Sequence, residues 1–298
     1  MSGKADSLKT IFYALGANFA IFVAKAVAAA ITGSGAMTAE AVHSLADCGN
    51  QLLLLLGLKQ AKVPPSADYP LGRGKEIYFW SFLVALLLFS VGGAFSIYEG
   101  LHKLQEPEPV KWPWLAIGVL AFGIVAESFS MYGCMTEVNK ARGTHSLWRW
   151  FRESRQSELI VIFGEDLAAL LGLVFALFAV LLTVLTGNPI FDAIGTLAIG
   201  VLLVVVAIFV AIEVKALLVG QSADAQTNAA IREFLAGRAE IVRVFNLITL
   251  QLGSEIMVAV KAEVRSGDVV AAINAVEKDM RARFPEVRWS FFEPDVSD

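Results

Sequence analysis

Residues 36–58 read AMTAEAVHSLADCGNQLLLLLGL, a stretch apolar enough to cross a membrane as one helix. His43 and Asp47 within it are four residues apart, and such a pair lies on one helical face with Cβ atoms about 5–6 Å apart. An imidazole and a carboxylate at this separation suit a divalent transition metal. Ionisable groups at membrane depth are costly and by default mark an ion pathway. The alternative interpretation is a buried polar pair at a helix interface.

The composition of the whole chain is that of an integral membrane protein. Of 298 residues, 56% are hydrophobic and 17% are charged, whereas soluble domains have about 45–50% apolar and about 25% charged residues. The net charge of −4 argues against nucleic acid as a partner. Cys48 and Cys134 lie in apolar stretches without a CxxC spacing. We therefore expect neither a disulfide nor a cysteine-based metal site.

Six apolar windows are each long enough to span a bilayer as a helix. They cover residues 9–32, 36–58, 77–101, 112–135, 158–186 and 190–217. The fold class that we predict is an α-helical membrane protein with a six-transmembrane-helix bundle.

Basic residues predict the orientation of these spans, because they concentrate in cytosolic loops. The opposite loops hold only Lys103 and Lys111. The predicted cytosolic side carries Lys59, Lys62, Arg73, Lys75, Lys140, Arg142, Arg149, Arg152 and Arg155. Both termini are therefore predicted to be cytosolic. The acidic isoelectric point of about 5.5 and the lack of an Arg-rich leader favour a bacterial inner (plasma) membrane.

From about residue 219 the composition changes to that of a soluble α+β domain. Residues 255–264 alternate apolar and polar side chains, the period of a half-buried strand. Helices are predicted after Ser222, as N-cap, and from about Asp268, and residues 287–293 are predicted to close a small sheet. We thus expect a transmembrane domain over 1–218 and a cytosolic domain over 219–298, whose marginal core favours burial in a dimer interface.

Further acidic residues lie inside the predicted spans. Glu165 and Asp166 are adjacent and point about 100° apart, so one is expected to face the second helix and the other elsewhere. Two buried carboxylates repel unless a cation or a proton intervenes. The alternative is a structural acid pair bonded to Ser or Asn side chains. Glu127 is interpreted as a ligand, a proton carrier or a structural acid. Glu40, one turn before His43, is expected to orient the imidazole from outside the ligand set.

Other charged residues in the spans receive structural interpretations. Lys25 is expected to pair with a carboxylate across a helix interface. Asp192 and Glu213 lie near span ends, where their side chains are expected to reach water or headgroups.

Residues 39–47, AEAVHSLAD, resemble the second-helix motif of the cation diffusion facilitator family, in which the His and the Asp four residues later are metal ligands. Residues 69–76, YPLGRGKE, look like this family's cytosolic lead into the third helix. The match extends along nearly the whole chain. It implies a six-helix exporter of zinc and related divalent cations in exchange for protons. It also implies a ferredoxin-like, metallochaperone-like C-terminal domain through which two copies form a homodimer.

Three features depart from the pattern of that family. Its fifth-helix His-x-x-x-Asp motif would place the His at Ile162 when Asp166 takes the Asp position, and the GEDLAA form resembles a subgroup that includes a mitochondrial zinc transporter. A loop metal site found in some members would need His where Tyr69 and Arg73 stand. Residues 219–298 contain no His and no Cys, which leaves one transmembrane site.

The resemblance therefore implies a cation held by His43, Asp47 and Asp166, with Glu165, Glu127 or water as the fourth ligand. One imidazole with several carboxylates suits Zn²⁺ and also Mn²⁺, Fe²⁺ and Co²⁺, and the resemblance favours Zn²⁺. No ATP motif is present, so a proton gradient is the expected driving force. The alternative is a membrane metal sensor or assembly protein without transport. An enzyme is not expected, because there is no HExxH motif and no nucleophile–base pair.

Overall fold

The computed structural model describes residues 3–265 and 267–297. Helices dominate the first three quarters of the chain, and the three strands lie in the last quarter. The elements in chain order are α1 (Gly3–Thr32), α2 (Gly35–Ala61), α3 (Glu76–Leu87), a π-helical segment (Leu88–Ala94), α4 (Phe95–Gln105), α5 (Pro113–Arg142), α6 (Leu147–Glu153), α7 (Ser157–Thr186), α8 (Ile190–Val219), α9 (Ala225–Ala236), β1 (Ile241–Leu252), β2 (Glu255–Val264), α10 (Val269–Arg283) and β3 (Val287–Pro294).

The six predicted spans correspond to long helices. Within the residues described, five helical runs are long and apolar enough to cross a membrane, namely α2, the run from α3 through α4, α5, α7 and α8. The remaining predicted span, the first in the chain, corresponds to α1, which contains the apolar stretch Asn18–Thr32. The observed α5 ends at Arg142, seven residues past its predicted end, because polar residues continue a helix whose apolar part the hydropathy pattern detects.

The chain divides into two compact units. The first comprises Met1–Leu56, Trp80–Gly143 and Glu158–Ile212. All six long helices contribute buried side chains to its core, among them Ala28, Met37, Leu88, Leu120, Leu173 and Leu203. The interior of the first unit is thus enclosed by the six spans.

The π-helical segment interrupts the third span where α8 approaches it closely. A Cβ on Gly93 would lie 2.6 Å from Cγ2 of Val204, so only glycine permits this helix separation. A Cβ built on Gly92, the preceding residue, would lie 3.2 Å from Cδ1 of Leu203 on α8 and 4.0 Å from Nδ1 of His43 on α2. Short π-helical turns occur frequently at functional sites, and this one borders the imidazole of the predicted metal ligand.

Asp192 does not reach water, so the prediction made for it is wrong. Its carboxylate is buried and accepts hydrogen bonds from the Ser34 hydroxyl at 2.5 Å and the Gly35 backbone N–H at 2.7 Å. Both donors lie at the start of α2, where backbone N–H groups lack helical partners and negative charge is favoured by the helix dipole. Asp192 therefore links the first turn of α8 to the start of α2 by two hydrogen bonds.

The second unit comprises Gly57–Phe79, Thr144–Ser157 and Glu213–Asp298. Its sheet has the strand order β1-β2-β3, with β2 antiparallel to β1 and parallel to β3. The two helices α9 and α10 share one core with one face of the sheet. This core includes Ile231, Leu235, Val258, Val260, Val276 and Met280. The domain boundary at residues 218 and 219 stays a prediction.

Two sequence predictions within the second unit need correction. The N-cap of α9 is Asp224, not Ser222, because the Asp224 carboxylate accepts from the Thr227 backbone N–H at 2.9 Å. Glu213 is buried and pairs with Arg152 at 2.5 Å, although it was expected to reach water. Asp224 is held by the backbone N–H of Thr227, and Glu213 by the guanidinium of Arg152.

Candidate metal centre

His43 and Asp47 lie on adjacent turns of α2, as their spacing predicts. His43 Nδ1 and Asp47 Oδ1 are 3.6 Å apart, beyond hydrogen-bond distance. Three buried atoms of this pair have no hydrogen-bond partner among the residues described. They are the two ring nitrogens of His43 and Oδ1 of Asp47. Nearly all buried polar atoms in native proteins are paired, and exceptions call for an explanation such as an ion. These atoms are therefore the strongest candidates for binding a cation.

Lys25 on α1 supplies a positive charge beside this pair. Its side chain is 1% exposed, and its ammonium donates to Glu40 Oε2 at 3.1 Å and to Ser44 Oγ at 2.8 Å. The predicted pairing of Lys25 with a carboxylate is confirmed. Glu40 is thus bonded to a lysine and not to an imidazole nitrogen, and an orienting role for Glu40 toward His43 stays a prediction.

The other oxygen of the Glu40 carboxylate meets α7. A Cβ on Gly172 would lie 2.5 Å from Glu40 Oε1, so a side chain at this position would displace the carboxylate. Oε1 itself has no hydrogen-bond partner among the residues described. The charged pair of Lys25 and Glu40 is therefore enclosed by α1, α2 and α7.

The adjacent acids of α7 face different helices, as predicted. Glu165 accepts a hydrogen bond from the Asn50 amide on α2. The Ser130 hydroxyl on α5 lies 3.3 Å from both carboxylate oxygens of Asp166. Ile162, at the family's usual His position, is 37% exposed. Glu165 is consequently the acid that faces α2, and Asp166 is the one that faces α5.

Glu127 on α5 lines a small cavity together with Asp47. Asn18, Ile21 and Ser44 complete its lining. Asp47 is an electrostatic neighbour of Glu127 and of Glu165. Like charges this close in a dry interior repel unless a cation or a proton separates them. The cavity is thus a space where positive charge is stabilised.

Asp166 extends this set of neighbouring acids. Its carboxylate interacts electrostatically with both Glu127 and Asp47. Within the part of the chain that the structure describes, however, no three His, Cys, Asp or Glu side chains are arranged to hold one metal ion. Hydrogen bonds from Ser130 and Asn50 hold Asp166 and Glu165 in their present positions. The structure therefore brings His43 and Asp47 together and leaves the other predicted ligands nearby.

The two acids of α7 are bonded to an Asn and a Ser side chain, as the alternative of a structural acid pair expects, although the sequence does not single out Asn50 and Ser130 as these partners. Ser130 is 36 residues before its partner Asp166, and Asn50 is 115 residues before its partner Glu165. A signal for Asn50 exists, because it follows His43 by seven residues and so lies on the same helical face. Ser130 gives no such signal.

Comparison with known proteins identifies the family. The family model described as "Cation efflux transmembrane domain" matches residues 11–219, which include the first span from residue 11 onward and the other five spans in full. The chain belongs to the cation diffusion facilitator family. This confirms the family that the motifs of α2 and of the following loop resemble. It also agrees with the prediction of a multi-pass membrane transporter and not an enzyme.

Three relatives show which members the chain resembles. It is 32% identical over 284 residues to the "Proton-coupled zinc antiporter SLC30A9, mitochondrial" of Xenopus laevis. The aligned region covers 94% of this chain and 50% of that protein. The human protein of the same name is 32% identical over 250 residues, covering 83% and 44%. "Metal tolerance protein C4" of Arabidopsis thaliana is 31% identical over 235 residues, covering 77% and 50%. The chain spans about half the length of these relatives.

The names of these relatives concern two predictions, the resemblance to a mitochondrial zinc transporter and the location in a bacterial plasma membrane. The resemblance to a mitochondrial zinc transporter, drawn from the GEDLAA sequence of α7, is confirmed. A bacterial plasma membrane gains no support from relatives with mitochondrial names and stays a prediction.

Proposed function

We propose that this chain exchanges a divalent cation, Zn²⁺ before others, for protons across a membrane. The observation that carries the proposal is the pair of His43, which is buried, and Asp47, whose Oδ1 is buried. These facing atoms lack partners among the described residues of a cation efflux domain. Relatives named proton-coupled zinc antiporters support both Zn²⁺ and protons as the exchanged ions.

The chemistry of the ligands links the two ions. A metal ion needs a neutral imidazole and ionised carboxylates, so metal binding releases protons and protonation releases the metal. A bundle that opens this site to alternate sides then carries out antiport. In this proposal Asp166 is the third ligand, after its carboxylate leaves Ser130 and approaches Asp47. Glu127 supplies the fourth ligand or carries a proton.

A single transmembrane transport centre is part of the proposal. The loop positions that would bind metal in some family members hold a cation–π pair here, with the Arg73 guanidinium 4.1 Å from the centroid of the Tyr69 ring. Residues 219–298 contain no His and no Cys. Neither region offers the imidazole or thiolate ligands that suit Zn²⁺. The carboxylate-rich centre also admits Mn²⁺, Fe²⁺ and Co²⁺ as alternative substrates.

Metal flux into proteoliposomes tests this function. The purified full-length chain is reconstituted, and uptake of Zn²⁺, Mn²⁺, Fe²⁺ and Co²⁺ is measured with and without an imposed pH gradient. We expect Zn²⁺ uptake to be the fastest and to increase with the gradient. Metal binding without flux of any ion would contradict the proposal and favour a membrane metal sensor.

We also propose that the C-terminal domain joins two copies of the chain as a homodimer. The sheet face opposite α9 and α10 is apolar toward one end, where Ile248 and Phe291 are exposed, and carries Asn246, Lys261 and Glu293 toward the other. Ile248, Ala259 and Phe291 are neighbours across the three strands on this face, and so are Leu250, Met257 and Trp289. Phe291 is 53% exposed. Exposed apolar patches of this kind mark protein interaction sites, and a second copy would cover the patch with an identical one.

Substitution of Phe291 by aspartate is expected to convert the dimer to a monomer. The reason is that a carboxylate would be buried without a partner in the interface. Light scattering after size-exclusion chromatography in detergent measures the mass. Val296→Asp, at an exposed site after β3, is the matched control. An unchanged dimer in Phe291→Asp would show that this face is not the interface.

A further inference from the structure

Lys25 on α1 is a buried charge that the proposed exchange of ions does not use. Its side chain is 1% exposed, and among the residues whose burial the structure describes it is the only buried lysine or arginine. A charge at membrane depth is costly and by default marks a functional site. The hydrogen bonds to Glu40 and Ser44 offset part of this cost. The position of the ammonium beside the cavity indicates what the charge does there.

The Lys25 ammonium reaches the edge of the cavity that Asp47 and Glu127 line. Ser44, which accepts a hydrogen bond from the ammonium at 2.8 Å, is itself part of the cavity lining. Ile21, four residues before Lys25 on α1, also lines the cavity, and residues four apart lie on the same helical face. Lys25 therefore approaches the cavity from α1, and its partner Ser44 forms part of the wall.

The packing around Lys25 keeps its charge at this position. A Cβ on Gly123 of α5 would lie 3.6 Å from Lys25 Cε, so the stem of the lysine runs directly beside the α5 backbone. At the end of the stem, Nζ is held by Glu40 Oε2 at 3.1 Å and by Ser44 Oγ. Because the side chain is packed against α5 and bonded to α2, the ammonium stays next to the cavity.

Lys25 acts electrostatically on both proposed ligands of α2. His43 and Asp47 each have the Lys25 ammonium among their electrostatic neighbours. A positive charge beside the acids offsets their mutual repulsion when no cation is bound. The same charge repels a divalent cation once it binds, and such repulsion is strong in a poorly hydrated interior. Lys25 thus favours the metal-free state of the centre over the metal-bound state.

We propose that Lys25 is a built-in counter-charge that lowers the affinity of the His43–Asp47 centre for divalent cations. It supplies part of the positive charge that a cation would bring to Asp47 and Glu127, and it repels the cation after binding. The inference rests on the proposed function in placing the cation at His43 and Asp47. In an antiporter, the lower affinity has a consequence for the rate, because a weakly bound cation leaves faster and the transport cycle is completed sooner.

Equilibrium dialysis with Zn²⁺ alone tests this role of Lys25. Binding is measured to the purified full-length chain in detergent. Lys25→Gln removes the charge and retains an amide that can donate hydrogen bonds. We expect this variant to bind Zn²⁺ more tightly than the wild type, by about tenfold or more. A residue that only supports the ligands gives the opposite sign, since its loss weakens metal binding by about 10–100-fold.

Further variants keep the test independent of a folding defect. Lys25→Met also lacks the charge, so added Zn²⁺ should raise its free energy of unfolding more than that of the wild type, because tighter binding stabilises more. Lys25→Arg restores the charge and should bind Zn²⁺ more weakly than Lys25→Gln by about tenfold or more. Lys140→Met removes an exposed charge and should leave the affinity unchanged.

Two results would overturn the role of Lys25. The first is an affinity for Zn²⁺ in Lys25→Gln that equals or falls below that of the wild type. The second is a stabilisation of Lys25→Met by Zn²⁺ that does not exceed the stabilisation of the wild type.

Flux measured on the same preparations separates this inference from the proposed function. For an antiporter, Lys25→Gln should reach half-maximal uptake at a lower Zn²⁺ concentration and have a lower maximal rate. Tighter binding in Lys25→Gln without flux in the wild type would contradict antiport and support the role of Lys25. Gradient-driven flux in the wild type with unchanged binding in Lys25→Gln would support antiport and overturn the role of Lys25.

Discussion

Asp47→Ala is expected to lower Zn²⁺ flux into proteoliposomes by about a hundredfold or more, since even residues that only support a metal ligand cost about 10–100-fold in affinity. The variant removes one of the two ligands that already face each other on α2. It also removes a carboxylate that is mostly shielded from solvent, so the protein is expected to fold and to keep its oligomeric state. The initial rate of Zn²⁺ uptake is the measurement.

Cys48→Ala provides the matched control for Asp47→Ala. Cys48 is the next residue on α2, is buried, and has a free thiol. We expect this variant to retain wild-type flux, because the Cys48 thiol is not one of the proposed metal ligands. Flux above one third of wild type in Asp47→Ala, or loss of flux in Cys48→Ala, would contradict the assigned ligands.

Lys25→Met is expected to destabilise the protein by about 3–5 kcal/mol, the usual cost of removing one partner of a buried ion pair. The ammonium is bonded to Glu40 and Ser44, and its loss leaves the Glu40 carboxylate buried without a counter charge. The double variant Lys25→Met/Glu40→Gln is expected to recover most of this stability, because neither charge remains. Unfolding monitored in detergent with increasing denaturant gives the free energies.

An exposed pair of the same chemical type is the control for Lys25→Met. Lys140 and Glu137 lie 2.6 Å apart on the surface of α5, and exposed ion pairs contribute about 0–1 kcal/mol. Lys140→Met should therefore change stability by less than about 1 kcal/mol. If Lys25→Met is no more destabilising than Lys140→Met, the charge of Lys25 does not stabilise this interior.

The parts of the structure that follow local rules could be predicted from the sequence. Hydropathy located the six spans because a bilayer imposes a minimum length on apolar helices. The four-residue spacing of His43 and Asp47 placed both side chains on one face of α2. Alternation in residues 255–264 predicted β2 with its bounds. Each of these features depends only on residues close together in the chain.

The contacts that complete the site could not be predicted in this way, because their partners are distant in sequence. Asp192 caps α2 from 157 residues away. Glu165 is bonded to Asn50, 115 residues before it. Hydropathy also gives no sign of the π-helical segment at Leu88–Ala94, since a change from α to π geometry leaves the apolar pattern intact. Only the packed structure shows that Glu165 is bonded to Asn50 and Asp166 to Ser130.

The arrangement of acids suggests how the predicted centre is completed. His43 and Asp47 are already close to each other, whereas Asp166 is bonded to the Ser130 hydroxyl. Moving Asp166 from this neutral donor to a bound cation exchanges a modest hydrogen bond for a charged contact, which is favourable in a dry interior. The cation itself would thus draw α2 and α7 together. The charge of the bound cation would offset the repulsion among Asp47, Glu127 and Asp166.

The most direct test of zinc/proton exchange at His43 and Asp47 is to record Zn²⁺ uptake and proton movement in the same proteoliposomes. A pH-sensitive dye reports protons while a second dye inside the vesicles reports Zn²⁺. Zn²⁺ entry and proton exit are expected to begin together in the wild type, and both are expected to be lost in Asp47→Ala. Zn²⁺ entry without proton exit, or coupled movement that persists in Asp47→Ala, would contradict zinc/proton exchange at these two residues.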